Sequence, residues 1–312
     1  MKIKYLKNHQ INFIRWDNCI NNSINGSIFA YSWYLNIICE NWEALVIGDY
    51  EYVMPLLQFE RYKQKFISSP KLSNRLGIFS NRILSEKISN EFIKSIPQNF
   101  SRINLHLNKF NKLSGNKTTE FRTFELDLMQ SYENLFSKFS PSFQGNINVA
   151  KENKINIIHG LALNDFFDFS LNRKNIAFPI LKKNELSKLR LIISYGLKYN
   201  LIDIYGAYSY ENNLCAVALI LRSKQKMHLL FNSINNYGLK TNALHLLINN
   251  FIKTHSEKNL TLNLENIIKN NDSDFLSGVG AHSYKYTRFF MSKLPLLLKI
   301  LLKYSGYGKY TC

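Results

Sequence analysis

The stretch from Leu214 to Glu265 constrains the fold more than any other. Leu214–Arg222 is a continuous apolar run of strand length, and Lys226–Ile234 is a second. A glycine-bearing loop, Asn235 to Ala243, follows. Leu244, Leu247, Ile248 and Phe251 then recur at i, i+3, i+4 and i+7, which predicts a helix with one apolar face. Leu260–Glu265 alternates and returns as a strand. Strand, strand, loop, helix, strand is an α/β signature. A helix that opens directly after a strand leaves its first backbone N–H groups unpaired, so the turn at Gly238 is a candidate anion site. Gly238 and Ala243 are the only small residues in it, and the plainer alternative is a glycine turn in an ordinary strand–helix crossover.

The rest of the chain repeats this order of elements. Ile11–Ile20 and Tyr31–Cys39 have helix spacing. Glu43–Ile47 and Tyr50–Leu57 read as strands joined by a two-residue Gly48-Asp49 hairpin loop, and Lys65–Ser69 as a third strand. Ser85–Ile96 is a helix with Ser85 as its N-cap, followed by strands at Arg102–Leu107 and Phe121–Leu128. A second cycle begins at Tyr132. It has a helix there, a polar loop or helix over Ser140–Asn153, a short strand at Ile155–Ile158, helices over Leu163–Asn172 and Asn184–Lys198, and a strand at Leu201–Tyr208. After the opening stretch come a helix at Asp272–Gly278, a strand at Ser283–Phe290 and a short apolar helix at Leu296–Tyr304. Two rounds of helices, meandering strands, loop, helix and strand predict two tandem α/β domains of mixed-sheet type, residues 1–128 and 129–312.

Charge and cysteine content narrow the function classes. Forty basic against 22 acidic residues give a net charge of +18, which favours anionic partners such as coenzyme A or tRNA over cationic ones. The lysines are scattered, however, and a solvated surface accounts for many of them. Cys19, Cys39, Cys215 and Cys312 have no metal-ligand spacing, and neither do His106, His159, His228, His245, His255 and His282. No zinc motif, Walker loop or dinucleotide fingerprint is present, so no metal is expected. The apolar run near Leu294–Leu302 is broken by Pro295 and Lys299 and is too short for a membrane span. A charged, polar N-terminal stretch without a signal pattern and unpaired cysteines predict a cytoplasmic protein.

The N-terminal third carries a resemblance. It lies in Trp16-Asp17-Asn18-Cys19-Ile20, Asn25-Gly26, Tyr31-Ser32-Trp33-Tyr34-Leu35, Trp42-Glu43-Ala44-Leu45-Val46 and Gly48-Asp49-Tyr50-Glu51 through Val53-Met54-Pro55-Leu56. These segments resemble a Bacteroidetes-type family of GNAT-like N-acyltransferases, related to the Fem-type aminoacyl transferases that fuse two GNAT domains. Asn232-Ser233, Gly238, Ala243, Leu264-Glu265 and Gly278-Val279-Gly280-Ala281 fall where that family has its second-domain landmarks. Two departures stand out. Ser142–Lys151 is almost without charge where relatives carry a basic cluster, and Asn266-Ile267-Ile268 with Asp272–Asp274 replaces a small, basic and aromatic segment.

The resemblance implies two tandem GNAT-like domains and an acyl donor, acetyl-CoA or a longer acyl-CoA, bound in the second. Acyl transfer to an amine requires a base for the amine, polarisation of the thioester carbonyl and a proton for the leaving thiolate. Glu265, at a strand end, is the candidate base. Tyr284 and Tyr286 are candidate general acids. Backbone N–H groups from Phe231 to Ser233 can hold the donor arm as an added strand, with Gly238, Lys240, Thr241, Asn242 and Ala243 around the phosphates. Each has a structural alternative: a helix-capping carboxylate, packed tyrosines, a solvent-facing loop lysine. The expected activity is acyl transfer from acyl-CoA to an amine of unknown identity. Aminoacyl transfer from tRNA in the Fem manner, and a non-catalytic binding or scaffold protein retaining the fold, are the alternatives.

Overall fold

The computed structural model describes residues 2–264, 266–267 and 272–295. Glu265 and the helix expected at Leu296–Tyr304 lie outside them. The chain divides into two compact units, Met1–Arg122 with Lys285–Cys312, and Thr123–Tyr284.

In chain order the first unit holds β1 (Ile3–Leu6), α1 (Phe13–Asn22), α2 (Ser32–Ile38), β2 (Glu43–Ile47), β3 (Tyr52–Leu56), β4 (Gln58–Arg61), β5 (Gln64–Ser68), β6 (Phe79–Ser80), α3 (Glu86–Lys94) and β7 (Phe100–His106). The strand β8 (Thr118–Asp127) leads into the second unit. One antiparallel sheet runs β1-β2-β3-β6. The hairpin register pairs Ile47 with Tyr52, so the loop has four residues, Gly48 to Glu51, and not the expected two. Gly48 and Tyr50 both take left-handed φ of 64°, and the Glu51 amide closes the turn on the Ile47 carbonyl at 3.1 Å. The Ser85 hydroxyl caps α3 by accepting from the Ile88 amide at 3.3 Å. Phe92 of α3 is buried with Leu45, Met54, Ile67, Phe100 and Ile103.

The crossover β5–α3–β7 is parallel, with a register irregularity between Lys65 and Phe66. Lys65 to Ser68 pair with Phe100 to Asn104, and the pairing extends through a parallel bridge between Leu76 and Leu107. The Leu76 amide reaches the His106 carbonyl at 3.1 Å, and the Asn108 amide reaches the Leu76 carbonyl at 2.8 Å.

The second unit holds α4 (Tyr132–Ser137), α5 (Pro141–Glu152), β9 (Asn156–His159), α6 (Leu163–Leu171), β10 (Ile176–Phe178), α7 (Lys183–Lys198), β11 (Ile202–Tyr208), β12 (Leu214–Ser223), β13 (Lys226–Ile234), α8 (Asn236–Lys240), α9 (Ala243–His255), β14 (Thr261–Asn263) and α10 (Asp272–Gly278). The last strand, β15 (His282–Ser292), returns to pair with β7. The sheet order is β8-β14-β13-β12-β11-β9. β11, β12 and β13 form the expected meander, and β14 joins β13 in parallel. Ser140–Asn153, left open as loop or helix, is helical. The Ser140 hydroxyl caps it, and Phe143, Ile147 and Ala150 turn inward at i, i+4 and i+7. The core runs through α9, whose Leu247, Ile248, Phe251 and Ile252 are buried together with Ala216, Ala218 and Ile220 of β12.

Candidate functional site

The chain turns from β13 into α8, not into an extended loop. Asn235 fixes that turn. Its side chain accepts from the Gly238 amide at 2.8 Å and donates to the Leu214 carbonyl at 3.2 Å, while its own amide donates to the Cys215 carbonyl at 3.0 Å. Gly238 is required by close packing. A Cβ there would stand 2.5 Å from the Cys215 carbonyl oxygen. The glycine therefore gives room to the chain's own backbone, and its amide is taken by the Asn235 cap.

The other residues expected around phosphates are partly engaged as well. Thr241 is buried, and both its amide and its hydroxyl donate to the Tyr237 carbonyl, at 3.0 and 2.9 Å. Lys240 is exposed at the end of α8. Asn242 takes a left-handed φ of 54° between α8 and α9 and makes no side-chain cap to α9. Its side chain instead donates to the side-chain Oδ1 of Asn146 on α5 at 3.2 Å. Asn146 also lies 3.3 Å from His245 Nε2. Burial pushes the His245 imidazole down to about 4, so it is neutral near pH 7 and can accept from the Asn146 amide. The buried amides of Ala243 and Leu244, in the first turn of α9, find no acceptor among the described residues. Asn146 and His245 went unrecognised in the sequence. Their only signal was the uncharged segment around Gln144–Ala150, read there as a missing basic cluster.

The edge of β13 is the second half of the site. Lys226, Met227 and His228 pair with Thr261, Leu262 and Asn263 of β14, and the two strands then part. The gap is not open. The Asn232 side chain donates to the Asn266 carbonyl, and the Asn266 side chain donates back to the Leu230 carbonyl at 3.3 Å. Beyond that, β10 lies antiparallel on the same strand, with Ile176, Ala177 and Phe178 opposite Ile234, Ser233 and Asn232. Phe231 is buried against Phe166, ring centroids 5.6 Å apart. Ser233 is fully buried, and its hydroxyl has no partner among the described residues. The backbone edge assigned to a donor arm is thus held by the chain's own strand. No sequence signal marked β10, because three residues between two helices are too few to show a period.

The candidate acids divide between the units. Tyr284 is the last residue of the second unit and is partly exposed. Tyr286 belongs to the first, where its ring lies 5.7 Å from Phe121, 5.9 Å from His106 and 4.6 Å beneath the Arg75 guanidinium. The structure brings Phe231, Ser233, Gly238, Lys240, Thr241, Asn242 and Ala243 onto one strand–helix junction. It does not describe Glu265. Among the described residues no cluster of His, Cys, Asp or Glu has the geometry to hold a metal.

A further polar cluster of the second unit was not foreseen. Asp203, nearly buried on β11, receives the Arg222 guanidinium and stands 3.1 Å from His159 Nε2. The Tyr205 ring lies tilted against His159, centroids 4.7 Å apart, and burial, with Asp203 second, raises its phenol well above the ordinary value. The carboxylate is satisfied from both sides, which fits an ion-paired sheet rim.

No family model matches the chain, and no curated protein matches it in sequence. Solved structures do match in fold. FemX is 10% identical over 92% of this chain and 97% of its own, with a TM-score of 0.61. The C-terminal domain of a putative lysylphosphatidylglycerol synthetase from Agrobacterium fabrum is 8% identical over 91% and 92%, with a TM-score of 0.51. A conserved protein of unknown function from Bacteroides thetaiotaomicron is 10% identical over 90% and 98%, with a TM-score of 0.50. At such identities the likeness concerns fold alone: a mixed α/β chain of tandem GNAT-like domains.

Proposed function

We propose that this chain transfers an acyl group to an amine, with the donor held at the β13–α9 junction of the second unit, and that the donor is an aminoacyl group carried on tRNA. The observation that carries the choice of donor is β10 on the edge of β13. A pantetheine arm is strand-like and needs that backbone edge. The acceptor end of a tRNA has no such need. A net charge of +18 and a fold resembling FemX over nearly its full length support the same reading. The tandem arrangement, 1–128 followed by 129–312, enters as part of this proposal: two copies of one α/β plan, of which the second carries the donor. Glu265 keeps the role of base, with Tyr284 nearer to it in sequence than Tyr286 as proton donor.

Acyl-CoA remains the second donor, favoured by the parting of β13 from β14 and by the unpaired first-turn amides of α9. The filled gap and the capped Gly238 amide favour a third reading, a binding protein that has kept the fold. One pair of experiments separates them. A gel shift with tRNA should show binding that weakens steeply between about 50 and 200 mM salt, since phosphate contacts release counterions. A melting-temperature series with acetyl-CoA should show no shift. A shift with acetyl-CoA and no tRNA binding moves the donor to acyl-CoA, and neither response leaves the non-catalytic reading.

A further inference from the structure

A cavity of about 340 Å³ lies in the first unit, within the ordinary size of a small-molecule site. One wall is a face of α1, with Arg15, Asn18 and Asn22 at i, i+3 and i+7. The β2–β3 loop and the two residues after β6, Asn81 and Arg82, complete it. The backbone of this loop is fixed from several sides. Tyr50 keeps its left-handed φ with its hydroxyl accepting from the Asn12 amide at 2.7 Å. The Ser80 hydroxyl donates to the Glu51 carbonyl at 2.9 Å and accepts from the Arg82 amide at 3.0 Å. A tyrosine seldom adopts such a φ, and strain of this kind gathers at ligand clamps. Cys19 also lines the cavity. Its thiol faces the Ser23 hydroxyl and the Glu51 and Phe79 carbonyls, and burial pushes it up, so it stays protonated and forms wall rather than nucleophile.

The charges of the lining balance. Arg15 pairs with Asp49, and Arg82 with Glu51 at 3.3 Å. All four side chains are well exposed, so each pair contributes little and each partner can turn to another ion. Asn18, Asn22 and Asn81 add carboxamides that make no side-chain hydrogen bond among the described residues. A carboxamide can donate to a carboxylate or accept from an ammonium. A lone anion would meet two carboxylates here as well as two guanidinium groups, and a lone cation would meet the reverse. A molecule carrying both charges can set its carboxylate on an arginine and its ammonium on the carboxylate so released, which leaves no charge uncompensated. We propose that this cavity binds a small zwitterion, with one free ammonium and one free carboxylate, of the size of an amino acid or a dipeptide. Arg82 and Glu51 are its principal contacts, because the Ser80 hydroxyl ties their backbones together.

Titration calorimetry of the full chain with L-alanine and with L-alanyl-L-alanine tests this. The N-acetylated and C-amidated form of each, which carry a single charge, serve as references. At least one zwitterion should bind saturably and roughly tenfold or more tightly than its singly charged forms, since each of those lacks one charge-assisted contact. Which of the two binds separates an amino acid from a dipeptide. Arg82→Gln and Glu51→Gln should each weaken that binding by about tenfold, for the same reason. The melting temperature should stay unchanged, because the pair is exposed. Lys285→Gln, which removes an exposed pair with Glu120 at 2.7 Å outside the cavity, should leave binding unaltered. Absence of binding by both zwitterions, equal binding of a singly charged form, affinity that survives Arg82→Gln and Glu51→Gln, or an equal loss with Lys285→Gln overturns the proposal.

Discussion

The two crossovers use the same plan and end differently. In the first unit β5 and β7 pair from Lys65 through Ser68, and Leu76, in the segment after β5, takes up the edge of β7 with a bridge to Leu107. In the second, β13 and β14 pair for three residues and part, and Asn266 and β10 fill the space. A parallel pair closed to its end presents only side chains. A parted pair exposes main-chain donors and acceptors that must be satisfied by something. Here they are satisfied by the chain itself, through contacts of small area: two asparagine bonds and a three-residue strand. The difference marks the second crossover as the one with a replaceable filling.

The strongest way to break the comparison is to destabilise each crossover in turn. Phe92→Ala empties the first core and Phe251→Ala the second, and each should cost about 3–5 kcal/mol. Phe251 is fully buried and stacked on His255 with centroids 4.2 Å apart. Hydrogen exchange should show Phe92→Ala loosening the β5–β7 amides first and Phe251→Ala the β12–β13 amides first. Uniform loosening by either would mean the units do not differ in local stability.

Gly238→Ala should be next in size, about 1–3 kcal/mol, because the new methyl group meets the Cys215 carbonyl rather than empty space. If Gly238 instead faced an open phosphate site, urea titration would find this substitution nearly neutral. Asn235→Ala removes the cap of the same turn and should cost about 1 kcal/mol.

These two residues also show how far the sequence could be read. The apolar runs of β11, β12 and β13 and the i, i+3, i+4, i+7 face of α9 identified the meander and its helix, because burial imposes those periods. The identity of the Gly238 turn was not legible. A glycine that admits a phosphate and one that admits a carbonyl from a neighbouring strand are the same letter. Asn146 against His245 and β10 on β13 are contacts across long sequence separations, and no local pattern encodes them. The hairpin at Gly48 was misjudged for a related reason: Tyr50 takes a left-handed φ that a tyrosine seldom adopts, so the turn extends beyond its glycine signal.

The smallest effects concern acid. Burial, with Arg288 and Arg75 behind it, brings His106 of the first unit down to about 4, as burial alone brings His245 of the second. An unfolded histidine binds its proton near 6.5. Between those values the unfolded chain holds more protons, so stability falls as pH falls from about 6.5 toward 4. His106→Gln and His245→Gln should each flatten that slope in chemical denaturation by about one proton. A slope unchanged in both would mean that these imidazoles charge freely in the folded chain.

The central claim is that the parted crossover, and not the closed one, answers to the donor. Hydrogen exchange read by mass spectrometry, with and without saturating tRNA, tests it most directly. The account predicts altered exchange over residues 172–182 and 226–234 with no change over 64–68 and 100–107. Binding that leaves 226–234 untouched, or that registers in the first crossover instead, would contradict it.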